Sequence, residues 1–158
     1  MLRKWNEMGP PVFHKWFIEH FNTMTDMLSA RRTYASSLAV MSIIGNIIGL
    51  GDRHCENIQI CQKTGEVVHI DLNMIFERGS KLKVPEIVPF RMTREIVDGC
   101  GMVKLEGTFK AVSNFLAVTV AKLIIFLISN GGSIVKFKTF LFRSRLKRWK
   151  LHVTMLTN

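Results

Sequence analysis

Apolar residues recur along this chain at two periods. From Val12 to Phe21 they fall at Phe13, Trp16 and Phe17, with His20 on the same face, and these steps of three and four predict a helix. A polar stretch from Asn22 to Ser29 breaks the pattern. From Arg31 through Ile48 it resumes with Tyr34, Leu38, Met41, Ile44 and Ile48, the stripe of a buried helix. Met24, Met27 and Met41 read as core filler. Gly49 and Gly51 release the chain from helical geometry. The period then drops to two: Ile58-Gln59-Ile60-Cys61 and Val67-Val68-His69-Ile70, with a turn at Lys63-Thr64-Gly65, predict a β-hairpin. Thr93 to Gly99 reads as a short helix, with Thr93 its N-cap and Glu95 in its first turn, followed by a turn at Gly99-Cys100-Gly101. Ala111 to Ser129 is a nearly unbroken apolar run approaching the length of a membrane span. Lys122 at its middle, with Ser113, Asn114 and Thr119, favours a buried or partner-facing helix, so no membrane partner is expected.

At 158 residues the chain holds one ordinary core. Its net charge of +10 is uneven. Through Glu106 there are 13 basic and 12 acidic residues, whereas Gly107 to Asn158 carries nine basic residues and no acidic one. Such a tail attracts anions in general. It shows no aromatic-interleaved reader pattern, so no sequence-specific binding of nucleic acid is expected. The three cysteines, Cys55, Cys61 and Cys100, are odd in number and form no Cys-x-x-Cys pair, which points to a reducing compartment. Met1-Leu2-Arg3-Lys4-Trp5 has no apolar core behind it, so no signal peptide is expected.

The candidate chemistry lies around Gly49-Leu50-Gly51-Asp52-Arg53-His54-Cys55-Glu56-Asn57-Ile58 and Asp71. Asp52 and Asn57 are five apart, and Asp71 follows Asn57 by fourteen residues. The loop before the first strand and the residue after the second lie at the same end of the hairpin, so three oxygen-bearing side chains can converge. Protein kinases place an Asp five residues before a magnesium-holding Asn, with a second Asp beyond the next strand pair. Asn57 and Asp71 offer the oxygens that Mg²⁺ takes. Asp52 suits a group that orients or deprotonates a hydroxyl, and His54 is close enough to share that work. Asp-x-x-x-x-Asn alone is weak and fits a polar turn with an Asp cap; the joint pattern is specific. His14 and His20 have no ligand partner at suitable spacing and read as surface or core-edge residues.

Leu50-Gly51-Asp52-Arg53-His54-x-x-Asn57 and His69-Ile70-Asp71 resemble the catalytic and metal-binding motifs of the phosphatidylinositol 3-kinase superfamily. Val84-Pro85-Glu86-x-Val88-Pro89-Phe90-Arg91-Met92-Thr93 resembles the activation segment of its protein-kinase branch, the phosphatidylinositol 3-kinase-related kinases. Asp71-Leu72-Asn73 in place of Asp-Phe-Gly, with Pro10-Pro11-Val12-Phe13-His14-x-Trp16-Phe17 upstream, is most similar to the ATR-like checkpoint kinases of that branch. The likeness runs from about Pro10 to Phe109. Beyond it, Thr139 to Trp149 keeps Phe140, Leu146 and Trp149 of the family's pattern, but has Arg143 and lacks the proline.

The resemblance implies an α+β fold: the mostly helical C-lobe of a PI3/PI4-kinase-type catalytic domain, with a small β-hairpin at its active site. No Gly-rich loop or phosphate-binding Lys strand precedes Gly49, so the N-lobe is expected to be missing and the chain to be inactive alone. Residues 1–11 form a lead-in, 12–129 the C-lobe fragment and 130–158 a divergent basic tail. The fragment contains a catalytic loop at 49–58, a metal-binding motif at 69–73 and an activation segment at 71–93. The implied activity is transfer of the ATP γ-phosphate to Ser or Thr of proteins, preferably before Gln. The implied roles are Asp52 as catalytic base, His54 assisting, Arg53 bracing, and Asn57 with Asp71 holding Mg²⁺ or Mn²⁺ against ATP. The implied partners are protein substrates, the N-lobe and helical scaffold of a full-length kinase, and a recruiting protein at damaged DNA, in the nucleus. In the activation segment Arg78, Lys81 and Lys83 are scattered among Glu77 and Glu86, not clustered as for an inositol head group, which favours peptide over lipid. A phosphoinositide kinase fragment and a non-catalytic, kinase-derived interaction protein are the alternatives.

Overall fold

The computed structural model describes residues 9–76, 78–81, 88 and 90–130. Four α-helices and one hairpin make up these residues: α1 (Phe13–His20), α2 (Met24–Ile48), β1 (Ile58–Ile60), β2 (Val67–His69), α3 (Arg94–Gly99) and α4 (Thr108–Asn130). Short 3₁₀ turns lie at Cys55–Asn57, Arg78–Lys81 and Lys104–Glu106. The mostly helical α+β class expected from the sequence is what is observed. Most of the activation-segment stretch Glu77–Pro89 and the basic tail after Asn130 lie outside the described residues.

α2 is the central element, and α1, α3, α4 and the hairpin all pack on it. It begins seven residues earlier than the apolar stripe suggests. Thr23 explains this: its hydroxyl oxygen accepts from the Asp26 N–H at 3.1 Å and donates to the Asp26 carboxylate at 2.7 Å, a polar cap inside what reads as a break. The buried face also differs in detail. Ala30, Tyr34, Ala35, Leu38, Ala39, Ser42 and Ile43 are buried, while Ile44 is 46% exposed. Small residues at 35, 39 and 42 belong to this buried face, which turns toward Ile43. Met24 is 67% exposed and fills no core, although Met27 packs against it.

The core joins Phe17 of α1, the inner face of α2, Val67 of β2, Phe90, Cys100, Leu105 and Phe109. Phe13, Trp16, Phe17 and Tyr34 form a ring cluster with centroids 4.9–5.7 Å apart. Tyr34 donates its hydroxyl to the Ile96 carbonyl at 3.0 Å. Burial pushes that phenol's pKa well up, and burial pushes the Cys100 thiol up to about 12. Thr93 caps α3 as expected, accepting from the Ile96 N–H at 3.3 Å. Glu95 does more than sit in a first turn, since it accepts the Val12 and Phe13 amides at the start of α1, 3.0 Å each. His14 has a carboxylate partner that local spacing does not reveal: its Nδ1 lies 2.8 Å from Asp98. His20 is exposed. Among the described residues no helix is long and apolar enough to cross a membrane.

The hairpin is antiparallel, pairing Ile58 with His69, Gln59 with Val68 and Ile60 with Val67. Two contacts seat it on α2. Ser37, donating to the Thr33 and Tyr34 carbonyls, accepts the Val67 N–H at 2.9 Å, which satisfies a buried strand-edge donor. Gly65, at φ 74°, lies so close to α2 that a Cβ would come within 2.8 Å of the Ala30 carbonyl oxygen. Farther along β2, burial lowers the His69 pKa from 6.5 to about 4, and the nearby Arg53 guanidinium adds to the effect. His69 Nδ1 is buried and finds no hydrogen-bond partner among the described residues.

Ser37→Ala strands the buried Val67 N–H and is expected to destabilise the chain by about 1–3 kcal/mol in urea unfolding. The folded chain holds His69 neutral, so the unfolded state binds the extra proton first. The stability at stake is complete above pH 6.5 and is lost as pH falls toward 4. His69→Gln removes this dependence: between pH 6.5 and 4 the wild-type urea midpoint should fall relative to that of the variant.

Candidate functional site

The site begins where α2 stops. Gly49, at φ 63°, takes the left-handed position that glycine adopts without penalty. The Leu50 N–H donates to Gly45 O at 2.8 Å and the Gly49 N–H to Asn46 O at 3.3 Å, the pair of bonds that closes a Schellman end. Gly51 is not left-handed, contrary to the expectation that it supplies a second release; its N–H instead donates to Met74 O at 2.7 Å. The Phe76 N–H reaches Ile48 O at 2.8 Å, so the chain after β2 folds back over the end of α2.

Arg53, only 6% exposed, gathers this junction. Its Nε donates to Gly51 O at 2.9 Å, Nη1 to Ile70 O at 2.7 Å and to Asn57 O at 3.4 Å, and Nη2 to Asp71 O at 2.5 Å. One planar fork therefore joins the loop before β1 to the residue two beyond β2. A guanidinium suits that task because its donors point in fixed directions. The same positive charge disfavours a second cation on His69.

Asn57 is buried and turned inward. Its Nδ2 donates to Asp52 O at 2.8 Å and faces His54 Nε2 at 3.1 Å. An amide nitrogen donates, so His54 Nε2 accepts, and in the neutral ring the proton sits on Nδ1, the nitrogen 3.8 Å from Glu56. Asp52 and Asp71 have φ of 60° and 51°, two of the four left-handed non-glycine residues among those described. Left-handed backbone costs about 1–2 kcal/mol in general, less for Asp, whose short polar side chain bonds locally. Asp71 does so: its Oδ1 accepts from Asn73 Nδ2 at 2.7 Å.

The structure thus collects the sequence-derived residues in one place. Asp52, Arg53, His54 and Asn57 contact one another or share Asn57, and Asp71 is tied to them through Arg53. Residues that spacing did not single out also take part: Met74 through its carbonyl, Asn73 through its amide, and Arg91, whose Nη2 lies 3.6 Å from Cys55 Sγ. Asn73 was visible in principle, as a polar side chain where the family motif has glycine. The carbonyl of Met74 carries no sequence signal.

As a cation site the donor set is sparse but of the right kind. Among the described residues no group of three or more His, Cys, Asp or Glu side chains could hold a metal ion alone. Among the described residues every hydrogen bond of the Asn57 carboxamide uses Nδ2, so Oδ1 accepts none of them. Together with the Asp71 carboxylate this gives two hard oxygens. Nucleotide-bound Mg²⁺ asks for about one or two carboxylates, with phosphates and water completing its shell. The residues fit that ion.

Residues 3–123 match the family model described as phosphatidylinositol 3- and 4-kinase. The chain is 52% identical over 103 residues to serine/threonine-protein kinase MEC1 of Candida glabrata, which covers 65% of the chain and 4% of that protein. It is 48% identical over 105 residues to serine/threonine-protein kinase ATR of Oryza sativa subsp. indica, covering 66% of the chain and 4% of that protein. A solved structure of the FAT and kinase domain of CtTel1 superposes with a TM-score of 0.71 and 38% identity, covering 99% of this chain and 12% of that one. The chain therefore spans about 4% of the length of these curated relatives. With the family model matching well over half of its residues, the chain belongs to the phosphatidylinositol 3- and 4-kinase family.

Proposed function

We propose that this chain supplies the catalytic and metal-binding loops of a serine/threonine protein kinase of the phosphatidylinositol 3-kinase-related branch. The observation that carries the reading is the Arg53 fork, which holds the backbone of Gly51, Asn57, Ile70 and Asp71 in one cluster. The relatives named serine/threonine-protein kinases favour protein over lipid as acceptor.

In this reading residues 12–129 are the C-lobe, preceded by a lead-in at 1–11 and followed by a basic tail at 130–158. The N-lobe and helical scaffold come from the longer polypeptide. Asp52 orients the attacking Ser or Thr hydroxyl and receives its proton. His54 assists from two residues away, its ring held by Asn57. Arg53 acts through the backbone and touches no substrate. Asn57 Oδ1 and Asp71 hold Mg²⁺ or Mn²⁺ beside ATP, and the ion, when bound, offsets negative charge on the phosphates. At the finer level we assign the ATR-like checkpoint class, Ser/Thr-Gln substrates, recruitment to damaged DNA and a nuclear location.

Phosphate transfer from ATP to a Ser-Gln peptide tests the assignment, with a Ser-Ala peptide and phosphoinositide vesicles as comparisons. The longer kinase carrying this segment should label the Ser-Gln peptide, and the 158-residue chain alone should label nothing. Use of phosphoinositide with the peptide ignored would sink the protein-kinase reading. Robust turnover by the short chain would sink the lobe assignment. In the longer kinase, Asp52→Ala is expected to lower kcat by about 10²–10⁴-fold. If Asp52→Ala and Asp71→Ala left the cellular effect unchanged, a non-catalytic interaction role would replace it. Arg53→Lys keeps the charge but loses the fork, and should cost at least about 2 kcal/mol in urea unfolding.

A further inference from the structure

Asn73 touches the candidate metal-binding carboxylate directly. Its side-chain Nδ2 lies 2.7 Å from Asp71 Oδ1, and its backbone N–H donates to the same oxygen at 3.4 Å. A carboxylate oxygen offers about two lone-pair sites. Both donors therefore fall on Oδ1, and among the described residues no hydrogen bond reaches Oδ2. The main chain of Asp71 is fixed at the same time, because Arg53 holds its carbonyl and its φ is 51°. Backbone and one carboxylate oxygen are thus both held, which leaves the other oxygen without a hydrogen bond among the described residues.

We propose that Asn73 is a positioning residue that makes Asp71 a one-oxygen ligand through Oδ2, and that it thereby sets the site's preference for Mg²⁺ over larger divalent cations. The inference rests on reading Asp71 as a metal ligand. The two cations ask for different things from a carboxylate. Mg²⁺ takes near-ideal octahedral geometry at about 2.0–2.1 Å and keeps several waters, so single oxygens suit it. Ca²⁺ takes roughly six to eight oxygens at about 2.3–2.6 Å and readily uses both oxygens of one carboxylate. An Asp71 with Oδ1 saturated by Asn73 meets the first demand and frustrates the second. The glycine of an Asp-Phe-Gly motif has no side-chain donor, so this restraint is a property of the Asp71-Leu72-Asn73 version.

The test uses the full 158-residue chain and needs no catalysis. Mn²⁺ binding is followed by its electron paramagnetic resonance signal, and Mg²⁺ and Ca²⁺ are then titrated as competitors. The quantity read is the ratio of the Ca²⁺ to the Mg²⁺ displacement constant, in wild type, Asn73→Ala, Asn73→Gly and Asp71→Asn. Asn73 is exposed and both replacements remove only its side-chain donor, so the fold is expected to survive; thermal unfolding of each variant checks this. Freed of Asn73, Asp71 should accept Ca²⁺ through both oxygens, so the ratio should fall by about 10-fold in Asn73→Ala and Asn73→Gly, the lower end of the range by which partners of metal ligands alter affinity. An unchanged ratio in both, with Mn²⁺ binding still lost in Asp71→Asn, would overturn the role of Asn73 and leave Asp71 as a ligand. Mn²⁺ binding that is indifferent to Asp71→Asn would overturn the ligand assignment itself, and the inference with it.

Discussion

A single buried guanidinium holds the working end of this molecule together. Arg53 spans the gap between two loops that are separated by a complete hairpin, and it does so with hydrogen bonds to main-chain oxygens. Burying a charge is costly unless its donors are satisfied. Here they are spread over carbonyls whose dipoles face inward, and that arrangement offsets the cost. It also bears on the neighbourhood: partial burial holds the imidazole of His69 toward its neutral form, and the guanidinium's charge adds to the effect.

The guanidinium would have nothing to hold if α2 did not deliver both loops to the same place. The helix does this at two points along its length. Its C-terminal end, closed by Gly49 and Leu50, hands the chain on to Asp52 and Arg53. About three turns earlier, Ser37 grips the start of β2, and the close approach at Ala30 seats the hairpin turn. Beyond the strand the chain returns Asp71 to the loop, where Arg53 holds its carbonyl. Local helix chemistry thus fixes the separation of two groups that lie far apart in sequence.

Much of this was readable from the chain alone. The hairpin followed from alternation at 58–60 and 67–69 with a glycine-bearing turn, because a two-residue period has few other solutions. Thr93 declared its capping role through its neighbours. The start of α2 was less legible, since Thr23 and Asp26 look like a break when judged by hydropathy and like a cap only when judged by hydrogen bonding. The turning of its inner face toward Ile43 was hidden because alanine and serine at 35, 39 and 42 carry little apolar signal although they are buried. The pairing of His14 with Asp98, 84 residues away, exists only in the folded chain. Residue types at the site were legible, but the carbonyls that organise it were not, because every residue has one.

The main-chain character of the Arg53 bonds has a consequence for how such a site changes over time. A clamp that grips peptide oxygens does not register which side chain hangs from the residue it grips. The grip itself therefore places no demand on the functional groups carried at positions 57, 70 and 71. Chemistry and architecture are written here in separable parts of the same residues, so the machinery can be retuned, or silenced, without first being dismantled.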